Sequence, residues 1–152
     1  MLILVIFIIV ISLLFTVPTS DEFYTDTVIE SVGVAVSEDY HQYGWWQDYT
    51  IYARYTFENP EYENNVYLEK MTDEDIVEFN LYLENFEEWV SIAKGDTGGL
   101  DLVRNYDFKK SAISTKDYCY IDSNDELDKF VSYDLYFYDA ETEILYYFHN
   151  NI

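Results

Sequence analysis

An apolar run without a charged side chain opens the chain, and it divides the sequence into two parts that one small core cannot hold together. Between Met1 and Val17 only Ser12 and Thr16 are polar. A helix of that length spans about 25 Å, the lower end of what crosses a hydrocarbon core. Pro18 stops it, because proline lacks an N–H and crowds the preceding turn. The run is hydrophobic all the way round, and a domain of roughly 130 residues has no interior large enough to surround it. Residues 1–20 therefore read as a signal peptide cut near Thr19 or as an N-terminal membrane anchor that spans the bilayer through residues 1–17. Length favours the anchor, since the apolar core of a signal peptide is about 7–15 residues. Either fate predicts a domain outside the cytoplasm, secreted or facing outward from a membrane. No Lys or Arg precedes Arg54, so the positive-inside signal falls to the α-amino group. Residues 21–26 form a short acidic linker, and 27–152 read as a single α+β domain.

The clearest element of that domain is a helix over residues 73–94. Thr72 is its cap, with Asp75 three residues on, a shorter-armed relative of the capping box. Asp73, Glu74 and Asp75 suit the positive end of the helix dipole. Ile76, Phe79, Leu83, Phe86, Val90 and Ala93 recur at steps of three and four, Trp89 widens their stripe, and Gly95 ends the helix. Strand patterns surround it. Thr27–Ser37 places Val28, Val32, Val34 and Val36 on one face. In Tyr49–Phe57, Ile51, Ala53 and Tyr55 alternate with Tyr52 and Arg54. Lys110–Ile121 reads as a third strand, after a short element near Leu100–Val103. Ser123 with Glu126 predicts a short helix bearing Leu127, Phe130 and Val131. The end reads as a hairpin, with Leu135 and Phe137 on one face and Ile144, Tyr146 and Phe148 on the other strand's matching face. This order predicts an α+β fold: a mostly antiparallel sheet of about five strands packed on one long helix, preceded by the N-terminal hydrophobic helix.

Charge narrows the partners. Thirty acidic residues stand against eight basic ones, a formal net charge of −22, and all of them follow residue 20. That field repels phosphate backbones and anionic headgroups, so it predicts no nucleic acid, and it attracts cations and basic peptides or proteins. An aromatic content of 20%, with 17 tyrosines, argues against disorder.

Motifs for chemistry are absent. There is no G-x-S-x-G, and His41 and His149 are the two histidines; both read as ordinary surface or strand-end residues. Asp96-Thr97-Gly98 matches the tripeptide of aspartic proteases, but Lys94 and Gly95 before it belong to a helix end, so it reads as a turn. Cys119 is the sole cysteine, which leaves no intramolecular disulfide and predicts a buried, inert thiol. Asp122, Asn124 and Glu126 begin like a calcium loop, without the glycine at its sixth place and with Tyr133 at its twelfth. The sequence thus predicts no catalytic residues, no metal site and no cofactor. The candidate binding residues are Tyr40, His41, Tyr43, Trp45, Trp46 and Asp48, read as an aromatic loop whose rings would stack on cations or sugar faces. The expected function is a non-catalytic domain that binds a partner, a cationic peptide or protein, through aromatic and acidic surface. The alternative is a carbohydrate- or cell-wall-binding module using the same loop.

Overall fold

A computed structural model describes residues 26–45, 48–123 and 130–151, with Trp45 described by its backbone. The leader, the linker before Asp26, Trp46 and the short helix expected after Ser123 lie outside the described residues. The fold is α+β. Its sheet has six strands, β1 (Ala35–Trp45), β2 (Asp48–Phe57), β3 (Glu69–Lys70), β4 (Tyr118–Ser123), β5 (Ser132–Asp139) and β6 (Ile144–Asn151), in the spatial order β1-β2-β6-β5-β4-β3. Every pairing is antiparallel. The helices are α1 (Thr27–Val32), α2 (Asp73–Ala93) and α3 (Leu100–Asn105).

Two expectations are corrected at the start of the domain. Residues 27–32 form a helix rather than a strand. Val28 and Val32 are four residues apart, a spacing that fits one strand face and one helix face equally. Asp26 decides between them, because its carboxylate accepts hydrogen bonds from Val28 N (3.0 Å) and Ile29 N (2.9 Å) and caps the first turn. Val28, Ile29 and Val32 are buried, whereas Val34 and Val36 stand exposed. The aromatic loop expected after residue 37 is instead the body of β1, whose last pair is Trp45 with Asp48. β1 takes the place of the strand expected at residues 27–37, and the sixth strand is the two-residue β3, Glu69–Lys70. Further along, the strand expected from Lys110 begins only at Tyr118, after a 3-10 turn at Lys110–Ala112.

The long helix forms where its caps place it. Thr72 and Asp75 make a full capping box, Asp75 N to Thr72 Oγ1 at 3.2 Å and Thr72 N to Asp75 Oδ2 at 2.7 Å. Phe79, Leu83 and Phe86 are buried and pack on one sheet face with Tyr52, Leu135, Phe137 and Phe148. Phe148 is the hub of this core: its ring centroid lies 5.0 Å from Phe108, 5.3 Å from Phe86 and 5.6 Å from Tyr52. Edge-on ring pairs of this kind add about 0.5–1.5 kcal/mol each beyond the area they bury. The opposite face is covered as well. Val28, Ile29 and Val32 of α1, with Leu68, seal Ile51, Tyr55, Leu145, Tyr136 and Tyr138. Central strands buried on both faces explain the unbroken apolar runs of β5 and β6.

Two glycines answer close approaches. Gly44 has φ +97°, and a Cβ there would come within 2.2 Å of the Asp48 carbonyl oxygen across the hairpin. A Cβ on Gly99 would meet the Ala93 carbonyl oxygen at 2.3 Å, where α3 begins against the end of α2. Gly44→Ala and Gly99→Ala should each lower the unfolding free energy by about 1–3 kcal/mol in urea titrations. Gly98→Ala, whose new methyl meets nothing nearer than 3.6 Å, should stay within about 0.5 kcal/mol.

Candidate functional site

Alternation along β1 separates the residues that the sequence groups together. His41, Tyr43 and Asp39 point to the α2 face, paired with Tyr52, Thr50 and Arg54, while Tyr40 pairs with Ala53 and packs into the core under α1. The six candidates therefore do not make one platform. Tyr40 donates from its hydroxyl to Gln42 Oε1 (3.1 Å). Tyr43 and Asp48 meet in one cleft, Trp45 contributes its backbone to the last hairpin pair, and Trp46 lies outside the described residues.

His41 corrects the reading of a surface histidine. It is buried, with Nε2 at 2.7 Å from Asp39 Oδ1 and Nδ1 at 2.8 Å from Asp101 Oδ2. With a carboxylate at each ring nitrogen, the ring can donate at both ends only as the imidazolium. Asp39 also accepts from Arg54, which reaches Asp107 at 2.6 Å, and Asp107 accepts from the Tyr52 hydroxyl at 2.7 Å. The chain Asp101–His41–Asp39–Arg54–Asp107–Tyr52 ties the edge strand β1 to α3 and the segment after it. Arg54 and the Tyr52 hydroxyl donate to Asp39 and Asp107, so both carboxylates are engaged. His149 similarly bonds Asp134 through Nδ1 (2.7 Å), and Asp134 also accepts from Tyr147 (2.6 Å). Both histidines thus bond carboxylates, and among the described residues neither reaches a hydroxyl or thiol that it could activate.

A broad concavity lies where the sequence shows only a strand break. The segment Asn59–Val66 folds against the end of α1 and the turn between β5 and β6, leaving a groove of about 820 Å³. Asn65 builds it. Its Nδ2 donates to Ser31 O and Glu61 O (both 3.0 Å), and its Oδ1 accepts from Tyr67 N (2.9 Å) and Leu68 N (3.1 Å). Tyr62 stacks on Tyr138 with ring centroids 4.4 Å apart. Glu61, Glu63 and Glu143 line the groove with Tyr62, and no basic residue does. Glu143 has φ +57°, a left-handed backbone that costs a non-glycine residue about 1 kcal/mol. The turn holds it there: Glu143 N donates to Asp139 O (2.9 Å), while Asp139 Oδ1 accepts from Glu141 N and Thr142 N.

A second concavity, about 160 Å³, opens at the other end of β2, where Tyr43 and Trp89 line a cleft with the buried Thr50 and Asn150, and Tyr49 stands at its rim with its ring turned to the other face. Among the described residues, Asp48 is its one charged lining residue. Among the described residues no cluster of three or more His, Cys, Asp or Glu is placed to hold a metal ion, and no helix is long and apolar enough to cross a membrane.

Two measurements follow from the electrostatics. The Arg54 guanidinium bonded to Asp39 holds that carboxyl below its usual range, against the opposing effect of burial. A depressed folded value means that the contribution is complete above the ordinary carboxylate pKa of about 4 and drains away as pH falls through the lowered one. Asp39→Asn should therefore be less stable than the native chain at about pH 7, with the deficit shrinking toward about pH 2, as urea unfolding at both values reads. Burial pushes the Cys119 thiol up to about 12. Iodoacetamide at about pH 8 should leave it intact in the folded chain and alkylate it in urea, as mass spectrometry reads.

In comparisons with known proteins, no family model, no curated protein and no solved structure matches this chain.

Proposed function

We propose that the protein is a non-catalytic binding module, secreted or held outward on a membrane by residues 1–17, and that it takes a cationic peptide or protein segment in the groove between Asn59–Val66 and the β5–β6 turn. The observation that carries this reading is the pairing of shape with charge. The groove is the size of an ordinary ligand site, and its lining holds three carboxylates and a tyrosine with no basic side chain. The net charge of −22 adds a long-range attraction for basic partners and speeds their encounter. The Asn65 network and the Tyr62–Tyr138 stack fix the loop before a ligand arrives, which lowers the ordering cost of binding. The strained backbone at Glu143 is a further support, because unfavourable backbone geometry that the surroundings hold in place is characteristic of binding sites.

Calorimetric titration of the full chain, in a neutral detergent, with a hexalysine peptide tests the reading. Saturable binding is expected, weakening roughly tenfold or more as salt shortens the screening length from about 10 Å to about 3 Å. Glu61→Gln combined with Glu63→Gln should weaken it further. Glu143→Gly separates strain from charge: it should raise stability by up to about 1 kcal/mol and still lower affinity. Affinity insensitive to salt, or unchanged in all three groove substitutions, sinks the reading.

A further inference from the structure

The cleft at the hairpin end is built differently from the groove, and it lies at the far end of β2. That strand has 10 residues, which places the two concavities roughly 30 Å apart. Two aromatic side chains on the α2 face, Tyr43 and Trp89, line the cleft, while Tyr49 contributes to its rim and turns its ring to the other sheet face, stacked on His149 at 4.7 Å. The two lining rings come from two elements, β1 and the late turns of α2. Two polar side chains form its floor, and both are more than nine-tenths buried: Thr50 is 3% exposed and Asn150 is 1% exposed. They hold each other, Thr50 Oγ1 donating to Asn150 Oδ1 at 3.0 Å. Tyr43 is fixed from outside the cleft by its hydroxyl, which donates to Asp96 Oδ2 at 3.3 Å.

We infer that this cleft is a binding pocket for a primary ammonium group on a short alkyl stem, the chemistry of a lysine side chain. Its volume of about 160 Å³ is below the 300–1,000 Å³ of sites for drug-sized ligands, so it admits a slender group rather than a ring laid flat. Aromatic faces carry negative electrostatic potential and attract an ammonium while their edges cover its methylenes. Among the described residues, Asp48 supplies the one formal charge in the lining, of the sign an ammonium requires. The floor offers acceptors. With its proton directed to Asn150, the Thr50 hydroxyl keeps its lone pairs, and the Asn150 carbonyl keeps one. An ammonium brings three donors and no acceptor, which matches that floor.

The pocket does not rest on the groove, and its test leaves the groove untouched. The full chain is titrated with Nα-acetyl-lysine methylamide, with the norleucine analogue that replaces the ammonium by a methyl group, and with a methyl glycoside of N-acetylglucosamine. Amide resonances of Gly44, Thr50 and Asn150 and the indole N–H of Trp89 report occupancy by NMR. The lysine compound should shift all four saturably, at least fivefold more tightly than the norleucine compound. Asp48→Asn, at an exposed position, should erase that preference without disturbing the other resonances. Equal binding of lysine and norleucine analogues would show an apolar pocket only and overturn the inference. So would saturation by the glycoside alone, or no shift of these signals by any of the three. The comparison of ligands on the native chain stands even where a variant folds poorly.

Discussion

A buried tyrosine brings a hydroxyl that must find an acceptor, and this protein buries many. Leaving such a group unpaired costs about 1–3 kcal/mol, several times over in a core built like this one. Carboxylates supply the acceptor for six rings, while Tyr133 donates to Asn85 Oδ1 and the Tyr138 hydroxyl is left without a partner among the described residues. Tyr52 donates to Asp107, Tyr55 to Glu38, Tyr106 to Glu87, Tyr136 to Asp26, Tyr147 to Asp134 and Tyr43 to Asp96. Each bond joins a neutral phenol to a charged acceptor, the stronger kind of hydrogen bond. At Tyr43, Tyr52 and Tyr106 burial first, and the neighbouring carboxylate second, raise the phenol's pKa and keep it neutral. Tyrosine content and acid content are therefore one feature of this chain rather than two. Part of the charge that reads as solubilising surface stands at the ends of buried rings, where it anchors the first turn of α1 and both ends of β2.

The long helix was legible because its signals are local: Thr72 and Asp75 meet within one turn, and Phe79, Leu83 and Phe86 share one stripe. The hairpin of β5 and β6 was legible for the same reason, its strands being joined by a short turn. What misled was a spacing shared by two periods. Val28 and Val32 satisfy both a strand and a helix, and the choice depended on Asp26, whose second oxygen accepts from Tyr136, 110 residues away. A long-range contact thus settled a local question, and one sequence does not display such contacts. The aromatic stretch of β1 misled in another way. Gly44 and clustered rings suggest a loop, but Gly44 serves a close approach within a hairpin, and Tyr40 and Tyr43 before it obey strand alternation.

Of the candidate site, Tyr43 and Asp48 were legible as residue types, because aromatic rings beside a carboxylate carry their chemistry with them. Their cleft was not, since Trp89 and Asn150 reach it from elements far along the chain. The groove was hidden for a different reason. Its residues, from Asn59 to Val66, are those that break strands, and polarity with Pro60 is what any surface connection shows. The distinguishing signal lay in composition: Glu61, Tyr62 and Glu63 in succession, followed by two asparagines, of which Asn65 makes four bonds that a mere connection does not need.

The pairing of phenols with carboxylates also decides where free negative charge remains. Asp39 and Asp107 are taken by Arg54 and Tyr52, Glu84 and Glu87 by Lys110, and Asp134 by His149 and Tyr147. Glu61, Glu63 and Glu143 enter none of these pairs, and neither does Asp48 in the cleft. Of the charge left over, Glu61, Glu63 and Glu143 stand beside the concave surface at one end of β2 and Asp48 at the other. At about 0.1 M salt the screening length is near 10 Å, well short of the roughly 30 Å between groove and cleft, so each end presents its own field. Only near 0.01 M, where that length approaches 30 Å, do the two merge into one attraction for a basic partner. The sheet thus separates two anionic surfaces with the same strands that its buried rings hold together.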